Sequence, residues 1–338
     1  MCAAENKVET KKDEITEKES KTFYVMKGFF ILSVIAAHVN TMISNTLVHA
    51  VITYFWNIFG TIGVIGFFLL GGFFYKRKEE DDKEFWKGKL FSIIIPWLLC
   101  SLLTFGIKWI TSGINSFWDV FKWIIGYGSL YYYITIFLFF LFIFKYFYKH
   151  DWALYSCIGL TLVSLILYSF EIDYWQWAVD SKYLNPLNWI GFFAGGILIR
   201  KYRLDRILLQ KWIVFAISIV LLVFEFFIMW RLGVNTYFHI ITPIWGITLF
   251  VFFLWISNWI ADLPIVCNVA QVGKWSYCIY LIHIQPLQFI ISRLPLNLWI
   301  VALRPIIGWL IMVILLMVVC WIMRVIKLEK VLFLIGIK

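Results

Sequence analysis

The feature that most constrains the fold is a succession of long apolar segments, each close to the ~20 residues that a helix needs to cross a bilayer. Their spacing predicts an all-α fold, a polytopic transmembrane helical bundle of about ten transmembrane helices. Composition agrees, because 62% of the residues are hydrophobic, whereas soluble domains are roughly half apolar. The segments cover about residues 24–44, 50–74, 90–111, 129–148, 152–170, 186–200, 211–230, 237–260, 274–292 and 298–323.

The segments outside these helices divide the chain into three parts. Residues 1–22 are rich in Lys, Glu and Asp and lack the apolar side chains of a core, so they are predicted to form a disordered cytoplasmic tail. Residues 23–323 form one transmembrane domain, and residues 324–338 form a C-terminal cytoplasmic tail. Within the domain, residues 114–128 are expected to be interfacial or re-entrant, and Pro286 is expected to interrupt the ninth helix.

The basic residues predict the orientation in the membrane. Of the 30 Lys and Arg residues, 24 fall on alternate connections that include both termini, and 6 fall on the other connections. By the positive-inside rule, this asymmetry predicts a multi-pass protein of the cell membrane with both termini in the cytoplasm. The net charge of +10 therefore reflects sorting among lipids and does not suggest a nucleic-acid partner. The six cysteines show no CxxC spacing, so we expect packing residues and no metal site.

Polar residues inside the apolar segments are the candidates for chemistry. Lys27 begins the first segment and His38 follows eleven residues later, about 16 Å along a helix. This spacing places Lys27 near the cytoplasmic face and His38 in the outer half of the bilayer, where a polar side chain needs a partner or a cavity. A neutral imidazole could act there as a general base toward a hydroxyl group. The alternative is a buried hydrogen bond between helices.

Three further ionisable residues fall within or beside apolar segments. Glu225 lies in the run FEFF, so its charge must be paired, hydrated or neutralised. It could orient a catalytic histidine as a triad carboxylate does, or it could pair with Arg231. His239 begins the eighth predicted helix on the outer side. His283 lies near the middle of the ninth, where it could line the same cavity as His38 or bond another helix.

Clusters of Lys and Arg occupy two predicted cytoplasmic loops. Positive-inside sorting alone explains them, but Lys and Arg also bind phosphates, so a phosphate-bearing donor could bind there. The clusters contain Lys76, Arg77, Lys78, Lys87, Lys89, Arg200, Lys201, Arg203 and Arg206.

Five short motifs, taken in order, resemble a known family. The first is a basic residue, ten residues and a histidine, here Lys27 and His38; the others are GFFLLGGFFY, KGKLFSIIIPW, GSLYYYITIFLF and WSYCIYLIHIQP. Over about residues 24–323 the chain resembles the bacterial acyltransferase-3 family, integral membrane enzymes that O-acylate cell-envelope sugars. The family usually has Arg at the position of Lys27, Ser at that of Gly71 and often a second Arg at that of Ser92.

The resemblance implies an acyltransferase that transfers groups other than amino-acyl groups, with residues 23–323 as its transmembrane domain. The donor would be cytoplasmic acyl-CoA, with acetyl-CoA expected, and the acceptor a hydroxyl of a surface polysaccharide or a lipid-linked sugar. His38 would be the essential histidine. Lys27 and Lys89 would hold the donor, with Lys87 beside them. The resemblance implies no bound prosthetic group, since acyl-CoA is a substrate.

The late motif carries the residues expected at the acceptor pocket. Ser276, Tyr280 and His283 match the family's SxxIYLxH segment, and His239 is placed with them from its outer position. Family members sometimes carry a soluble domain that completes acyl delivery outside the cell. No such domain follows the tenth helix here, so we expect this chain to work alone, to use a lipid-linked acceptor, or to need a separate extracytoplasmic partner.

Two other functions use the same sequence features. A transporter or flippase for a glycan or lipid precursor would also have many spans, central polar groups and glycine-marked helices. It would move its substrate without consuming acyl-CoA. A sensor or anchoring module could keep the fold without catalysis, because a fold does not fix a function.

Overall fold

The computed structural model describes residues 15–39, 47–76, 82–112, 116–175, 181–232, 237–263, 267–293 and 298–326. These residues are mostly helical and contain no strand. The helices are α1 (Glu17–His38), α2 (Leu47–Phe73), α3 (Asp82–Lys89), α4 (Ile95–Ser112), α5 (Phe117–Ile125), α6 (Tyr132–Phe147), α7 (Asp151–Ser169), α8 (Ile190–Lys201), α9 (Leu204–Leu209), α10 (Trp212–Leu232), α11 (Ile241–Ile260), α12 (Cys267–Lys274), α13 (Ser276–Ile282), α14 (Ile284–Arg293) and α15 (Leu298–Val325).

The predicted helical bundle is confirmed, whereas the number of ten spans is not. Within the described residues, four helical stretches are long and apolar enough to cross a membrane: Glu17–His38, Asp82–Ile110, Asp151–Ser169 and Ile241–Ile260. The second of these combines α3 and α4, which a π-helical turn at Leu90–Ile94 joins. Shorter apolar helices accompany them at Phe59–Phe73, Tyr132–Phe147, Trp212–Ile228 and Ile306–Val319.

Helix α1 begins earlier than the sequence indicated. The predicted start was residue 24, but a capping box starts the helix at Glu17. The Thr16 hydroxyl accepts from the Glu19 N–H at 3.2 Å, and the Glu19 carboxylate accepts from the Thr16 N–H at 2.8 Å. Each bond satisfies a backbone donor that a helix start would otherwise leave unpaired. Residues 1–14 of the predicted tail, and the predicted end of this helix beyond residue 39, lie outside the described residues.

Glu19 also ties the start of α1 to the turn between α8 and α9. Its carboxylate accepts hydrogen bonds from Arg203 at 2.9 Å and from Arg206 at 2.6 and 3.1 Å. These are charge-assisted bonds in a partly buried setting, which makes them stronger than ordinary surface pairs. They fix the position of α1 along its own axis relative to α8 and α9, and with it the positions of Lys27 and His38 along that axis.

Two close helix crossings set the position of α1 and α2. An added Cβ at Gly273 of α12 would overlap the carbonyl of Tyr24 in α1, and one at Gly196 of α8 would overlap the carbonyl of Leu69 in α2. Only glycine allows backbones to approach this closely, as at small-residue crossings of membrane helices. The first crossing holds α12 directly against the helix that carries Lys27 and His38.

The predicted ninth helix is three short helices in the structure. The regular helix is interrupted for one residue at Trp275, between α12 and α13, and at His283, between α13 and α14. Pro286 lies in the first turn of α14, where its missing N–H is tolerated. The interruption expected at Pro286 therefore falls at His283, because the proline leaves the carbonyl four residues earlier, that of Ile282, without its helical donor.

The segment 114–128, expected to be interfacial or re-entrant, contains the short helix α5. A capping box between Ser116 and Asp119 starts it, and Gly126 ends it at φ +99°. One face exposes Phe117, Trp118 and Phe121, as an interfacial helix does. The turn after Gly126 leads into α6 and, as described below, borders the larger cavity.

The outer surface is apolar over much of α4, α7, α10 and α15. On α4, for example, Leu99, Leu103 and Ile110 are exposed, and on α10 so are Val220 and Val223. Water-exposed patches of this extent are rare on soluble proteins. Lipid acyl chains are the environment that suits them.

Candidate active site

Two cavities lie in series along α1. The larger has a volume of about 1100 Å³ and is bordered by His38. The smaller has a volume of about 360 Å³ and is bordered by Lys27. Among the described residues, only Tyr280 borders both. The two polar residues that the sequence placed on one helix, about 16 Å apart along its axis, therefore serve two adjacent spaces.

His38 is the last residue of α1, half-buried at the wall of the larger cavity. Its imidazole lies against that of His283, with ring centroids 5.5 Å apart and planes inclined by 44°. The structure thus brings together two histidines that are far apart in the chain. At this separation an N–H of one ring reaches a nitrogen of the other directly or through one water.

The hydrogen bonds of His283 define which of its nitrogens is free. The side chain is 0% exposed. Its Nδ1 lies 2.9 Å from the Tyr280 carbonyl and 3.2 Å from the Ile279 carbonyl, so Nδ1 carries the hydrogen and donates. Nε2 is then an acceptor, and among the described residues it has no hydrogen-bond partner. Because an unsatisfied buried acceptor is costly, Nε2 is available to a nearby donor.

The larger cavity is lined mainly by aromatic rings and uncharged polar groups. Asp173 and Lys182, which also border it, pair with each other at 3.6 Å. Apart from this pair and His38, its described lining residues include no Asp, Glu, Lys, Arg or His. The rings belong to Trp123, Tyr127, Tyr131, Tyr132, Tyr183, Tyr237, Phe238 and Tyr280, and the uncharged polar side chains to Thr104, Ser129, Ser181, Gln285 and Gln288.

The two stretches that carry Asp173 and Lys182, residues 171–175 and 181–188, are held on α7 by a polar network. The Tyr174 hydroxyl is 2.5 Å from the Ser164 hydroxyl and accepts from the Asn185 amide at 2.7 Å. Asn188 donates to the Lys182 carbonyl at 2.8 Å. Buried and satisfied networks of this kind rigidify the residues that they join, so Asp173 and Lys182 have a defined position at this wall of the cavity.

The smaller cavity is positively charged. Four lysines border it, namely Lys27, Lys76, Lys89 and Lys274, and no Asp or Glu does so among its described lining residues. The Lys27 ammonium lies 4.8 Å from the Phe74 ring and 5.4 Å from that of Tyr24. The Lys274 ammonium lies 5.5 Å from the same Tyr24 ring. Such a set of cations attracts an anion, phosphate above all.

Sequence reasoning missed Lys274. Its position in the chain could have indicated it, because Lys274 directly precedes the motif WSYCIYLIHIQP. The contact between Gly273 and Tyr24 is what brings it to the Lys27 helix. No periodicity in the sequence reveals that crossing.

Several predicted site residues lie elsewhere than expected. Ser276, assigned to the acceptor pocket, borders the smaller cavity. Lys87, assigned to the donor, lies on the exposed side of α3 and borders neither cavity. His239 follows the lining residues Tyr237 and Phe238 but does not itself border the larger cavity. Its Nδ1 accepts from the Ile241 N–H at 3.3 Å, at the start of α11. Burial lowers the pKa of His239.

Glu225, predicted to act with His38, is not brought to it. The side chain is 4% exposed, and its Oε1 accepts from the Thr248 hydroxyl at 3.3 Å. It borders neither cavity. The observed contact is thus a hydrogen bond between α10 and α11, and the group near His38 is His283.

Two departures from the family pattern have structural counterparts at the smaller cavity. A Cβ added at Gly71 would come within 2.6 Å of the Phe137 ring, so Phe137 fills the space that a serine would need. The Ser92 hydroxyl donates to the Gly88 carbonyl at 2.7 Å and borders the cavity. Among the described residues, no group of three or more His, Cys, Asp or Glu is placed to hold a metal ion.

Comparison with known proteins gives one match. The model of a family described as an acyltransferase domain, acyltransferase-3, matches residues 23–325 of the 338. Comparisons with curated proteins and with solved structures found no match. The family match covers nearly the whole helical bundle, including both cavities, and its membrane character agrees with the apolar helices. The chain therefore belongs to the acyltransferase-3 family of membrane acyltransferases.

Proposed function

We propose that this protein is an integral membrane O-acyltransferase that moves an acyl group, acetyl in the first instance, from acyl-CoA to a hydroxyl of a sugar. The observation that carries the proposal is the pair of cavities. A lysine-lined cavity suited to an anion adjoins a larger cavity with a histidine at its wall, and one helix carries Lys27 and His38.

The orientation follows from the distribution of basic residues. By the positive-inside rule, the smaller cavity would lie toward the cytoplasm, where acyl-CoA is made. The larger cavity then faces outward, toward a cell-envelope polysaccharide or a lipid-linked sugar. Both termini are cytoplasmic in this arrangement, and a separate extracytoplasmic protein could present the acceptor.

The donor site would be built from charge at its mouth and apolar surface within. Lys27, Lys89 and Lys274 would bind the phosphates as point charges. Rings such as those of Phe67 and Phe137, which border the same cavity, would contact the uncharged part of the donor. The acyl thioester would then point along α1 toward His38.

His38 would act as the general base. It takes the proton of the acceptor hydroxyl while the hydroxyl oxygen attacks the thioester carbonyl. A carbon–oxygen bond forms, the carbon–sulfur bond breaks, and CoA leaves as a thiolate that takes up the proton. The acceptor has then lost a proton and gained the acyl group, and CoA has lost the acyl group and gained the proton. No other reactant is needed.

His283 would position His38 rather than touch substrate. Its Nδ1 hydrogen is held by backbone carbonyls, so its Nε2 lone pair can accept from an N–H of His38. That bond would leave the other His38 nitrogen unprotonated and facing the acceptor. It would also stabilise the imidazolium that forms when His38 takes a proton, as the orienting group of a triad does.

The acceptor would bind among the rings and amides of the larger cavity. Sugar faces stack on aromatic rings, and sugar hydroxyls bond amide groups such as those of Gln285 and Gln288. Because the two charged lining residues, Asp173 and Lys182, pair with each other, the cavity suits an uncharged sugar better than a strongly charged one.

The first experiment measures transfer of radiolabelled acetyl from acetyl-CoA to envelope glycan in membranes that contain the protein. We expect label with wild type and none with His38→Ala. His150→Ala is the control, because His150 is an exposed histidine in the turn before α7. Equal label from wild type and His38→Ala at equal protein levels would refute the role of His38. If neither acetyl-CoA nor succinyl-CoA is consumed while a glycan precursor crosses the membrane, the protein is a transporter.

A further inference from the structure

We propose that the side chain of Tyr280 is the partition between the donor and acceptor cavities and that it limits the length of the acyl group that can be transferred. This inference rests on the proposed function. It starts from the observation that, among the described residues, Tyr280 alone borders both cavities.

The ring of Tyr280 is held in place on several sides. Its hydroxyl donates to the carbonyl of Leu130, in the turn that leads into α6. Its ring centroid lies 5.5 Å from that of Tyr133 and 6.0 Å from that of His283. The side chain is 6% exposed. A ring that is anchored at its hydroxyl and packed against two other rings forms a wall between the cavities, and loss of the hydroxyl bond would let it move aside more often.

The neighbours of this ring divide between the two cavities. Leu130 and Tyr132 border the larger cavity, whereas Tyr133 and Ile134 border the smaller one. The boundary on α6 therefore falls at the same level as Tyr280 on α13. An acyl group that extends from the lysine-lined cavity toward His38 must pass at this level.

The length limit follows from the position of the wall. To bring its carbonyl to His38, the acyl group must pass the ring of Tyr280, so each additional methylene must share space with the ring during that passage. In hydrophobic pockets one methylene changes selectivity by roughly 10–200-fold. The same ring would keep water of the larger cavity away from a thioester that is waiting for an acceptor.

Tyr277 supplies a matched control on the same short helix. Its hydroxyl also donates to a backbone carbonyl of another segment, that of Ile93, at 2.7 Å. It borders the smaller cavity only. Substitution of Tyr277 and Tyr280 by the same residue thus removes the same atoms from α13, but only one change opens the partition.

The test compares butyryl-CoA with acetyl-CoA as donors for wild type, Tyr280→Leu, Tyr280→Phe and Tyr277→Leu, each purified and monodisperse on gel filtration. Tyr280→Leu should raise the butyryl-to-acetyl transfer ratio at least about tenfold. Tyr280→Phe keeps the ring but loses its anchor, so it should raise that ratio less than Tyr280→Leu does, whereas Tyr277→Leu should leave the ratio near the wild-type value. An unchanged ratio in folded Tyr280→Leu, or an equal rise in Tyr277→Leu, would overturn the partition.

A second measurement uses acyl-CoA hydrolysis without acceptor, in which water replaces the sugar hydroxyl and releases a carboxylic acid and free CoA. Tyr280→Phe loses the anchor to Leu130, and hydrolysis should rise on the order of fivefold, the worth of one hydrogen bond. This measurement tests the partition even if Tyr280→Leu does not fold. An unchanged hydrolysis rate in Tyr280→Phe would then contradict the partition. Absence of His38-dependent acetyl transfer by wild type would instead refute the proposed function itself.

Discussion

The proposed orientation of His38 by His283 leads to a prediction that separates catalysis from folding. His283→Asn keeps an amide donor near the position of Nδ1 and loses the acceptor at Nε2. His283→Gln can place a carbonyl oxygen near the position of Nε2. Both variants remove the same buried imidazole, which is 0% exposed, so they should lose similar amounts of stability. The difference between their rates then reports on the Nε2 acceptor.

The expected magnitude comes from the charge that His38 carries after it takes a proton. A hydrogen bond to a charged group contributes about 1.5–3 kcal/mol, and each 1.36 kcal/mol is a factor of ten in rate. His283→Asn should therefore lower kcat by roughly 10- to 150-fold. The KM for acyl-CoA should stay within about twofold, because the lysine-lined cavity is untouched. His283→Gln should recover at least about half of the loss on a logarithmic scale.

The assay is steady-state acetyl transfer with purified protein, with thermal unfolding of each variant followed in the same detergent. The reasoning is refuted if the Asn and Gln variants have equal kcat at equal stability. It is also refuted if the loss appears in the KM for acyl-CoA and not in kcat. A fall in kcat that merely follows the fraction of folded protein would show that His283 is structural.

Three further predictions concern charge, packing and anchoring. Lys274→Ala should raise the KM for acyl-CoA about fivefold with little change in kcat, and added salt should reduce this difference, whereas Lys87→Ala on the exposed side of α3 should change neither constant. Gly196→Val should lower the free energy of unfolding by about 1–3 kcal/mol or more, because its side chain would meet the α2 backbone. Gly106→Ala should raise the free energy of unfolding by about 0.5–1 kcal/mol, because nothing lies within 4 Å of the added Cβ. Thermal unfolding measures both changes. Glu19→Gln should lower thermal stability by an amount equivalent to about 1–3 kcal/mol, since its two arginine partners lose a carboxylate, and an unchanged midpoint would show that the start of α1 is held by other contacts.

The sequence predicted what depends on one helix and failed where several helices meet. Segment length and hydropathy gave the bundle, and the spacing of Lys27 and His38 placed them at two levels of one helix. The proximity of His283 to His38 depends on how α13 crosses α1, which no local pattern reveals. The close approach of α12 to α1 at Gly273 brings Lys274 to the smaller cavity, which Ser276 also borders instead of the larger one.

Boundaries and partners were harder to predict than the helices themselves. The capping box at Thr16 and Glu19 is readable in the sequence, but the charged composition around it favoured a disordered tail. Glu225 looked catalytic because a carboxylate in an apolar run needs a partner. That partner is the hydroxyl of Thr248, and apolar periodicity does not distinguish a bond between two helices from a catalytic contact.

The broken segment from α12 to α14 has a consequence for how this chain tolerates change. Lys274, Tyr280 and His283 lie within ten consecutive residues and reach the smaller cavity, the boundary between the two cavities and His38 in turn. Because each helical residue adds about 100° of rotation and 1.5 Å of rise, a single deletion between Lys274 and His283 would put one of them out of register with α1. Some substitutions can be accommodated along this stretch but a change in its length cannot, so that length acts as a ruler between the proposed sites of acyl-CoA binding and of proton transfer.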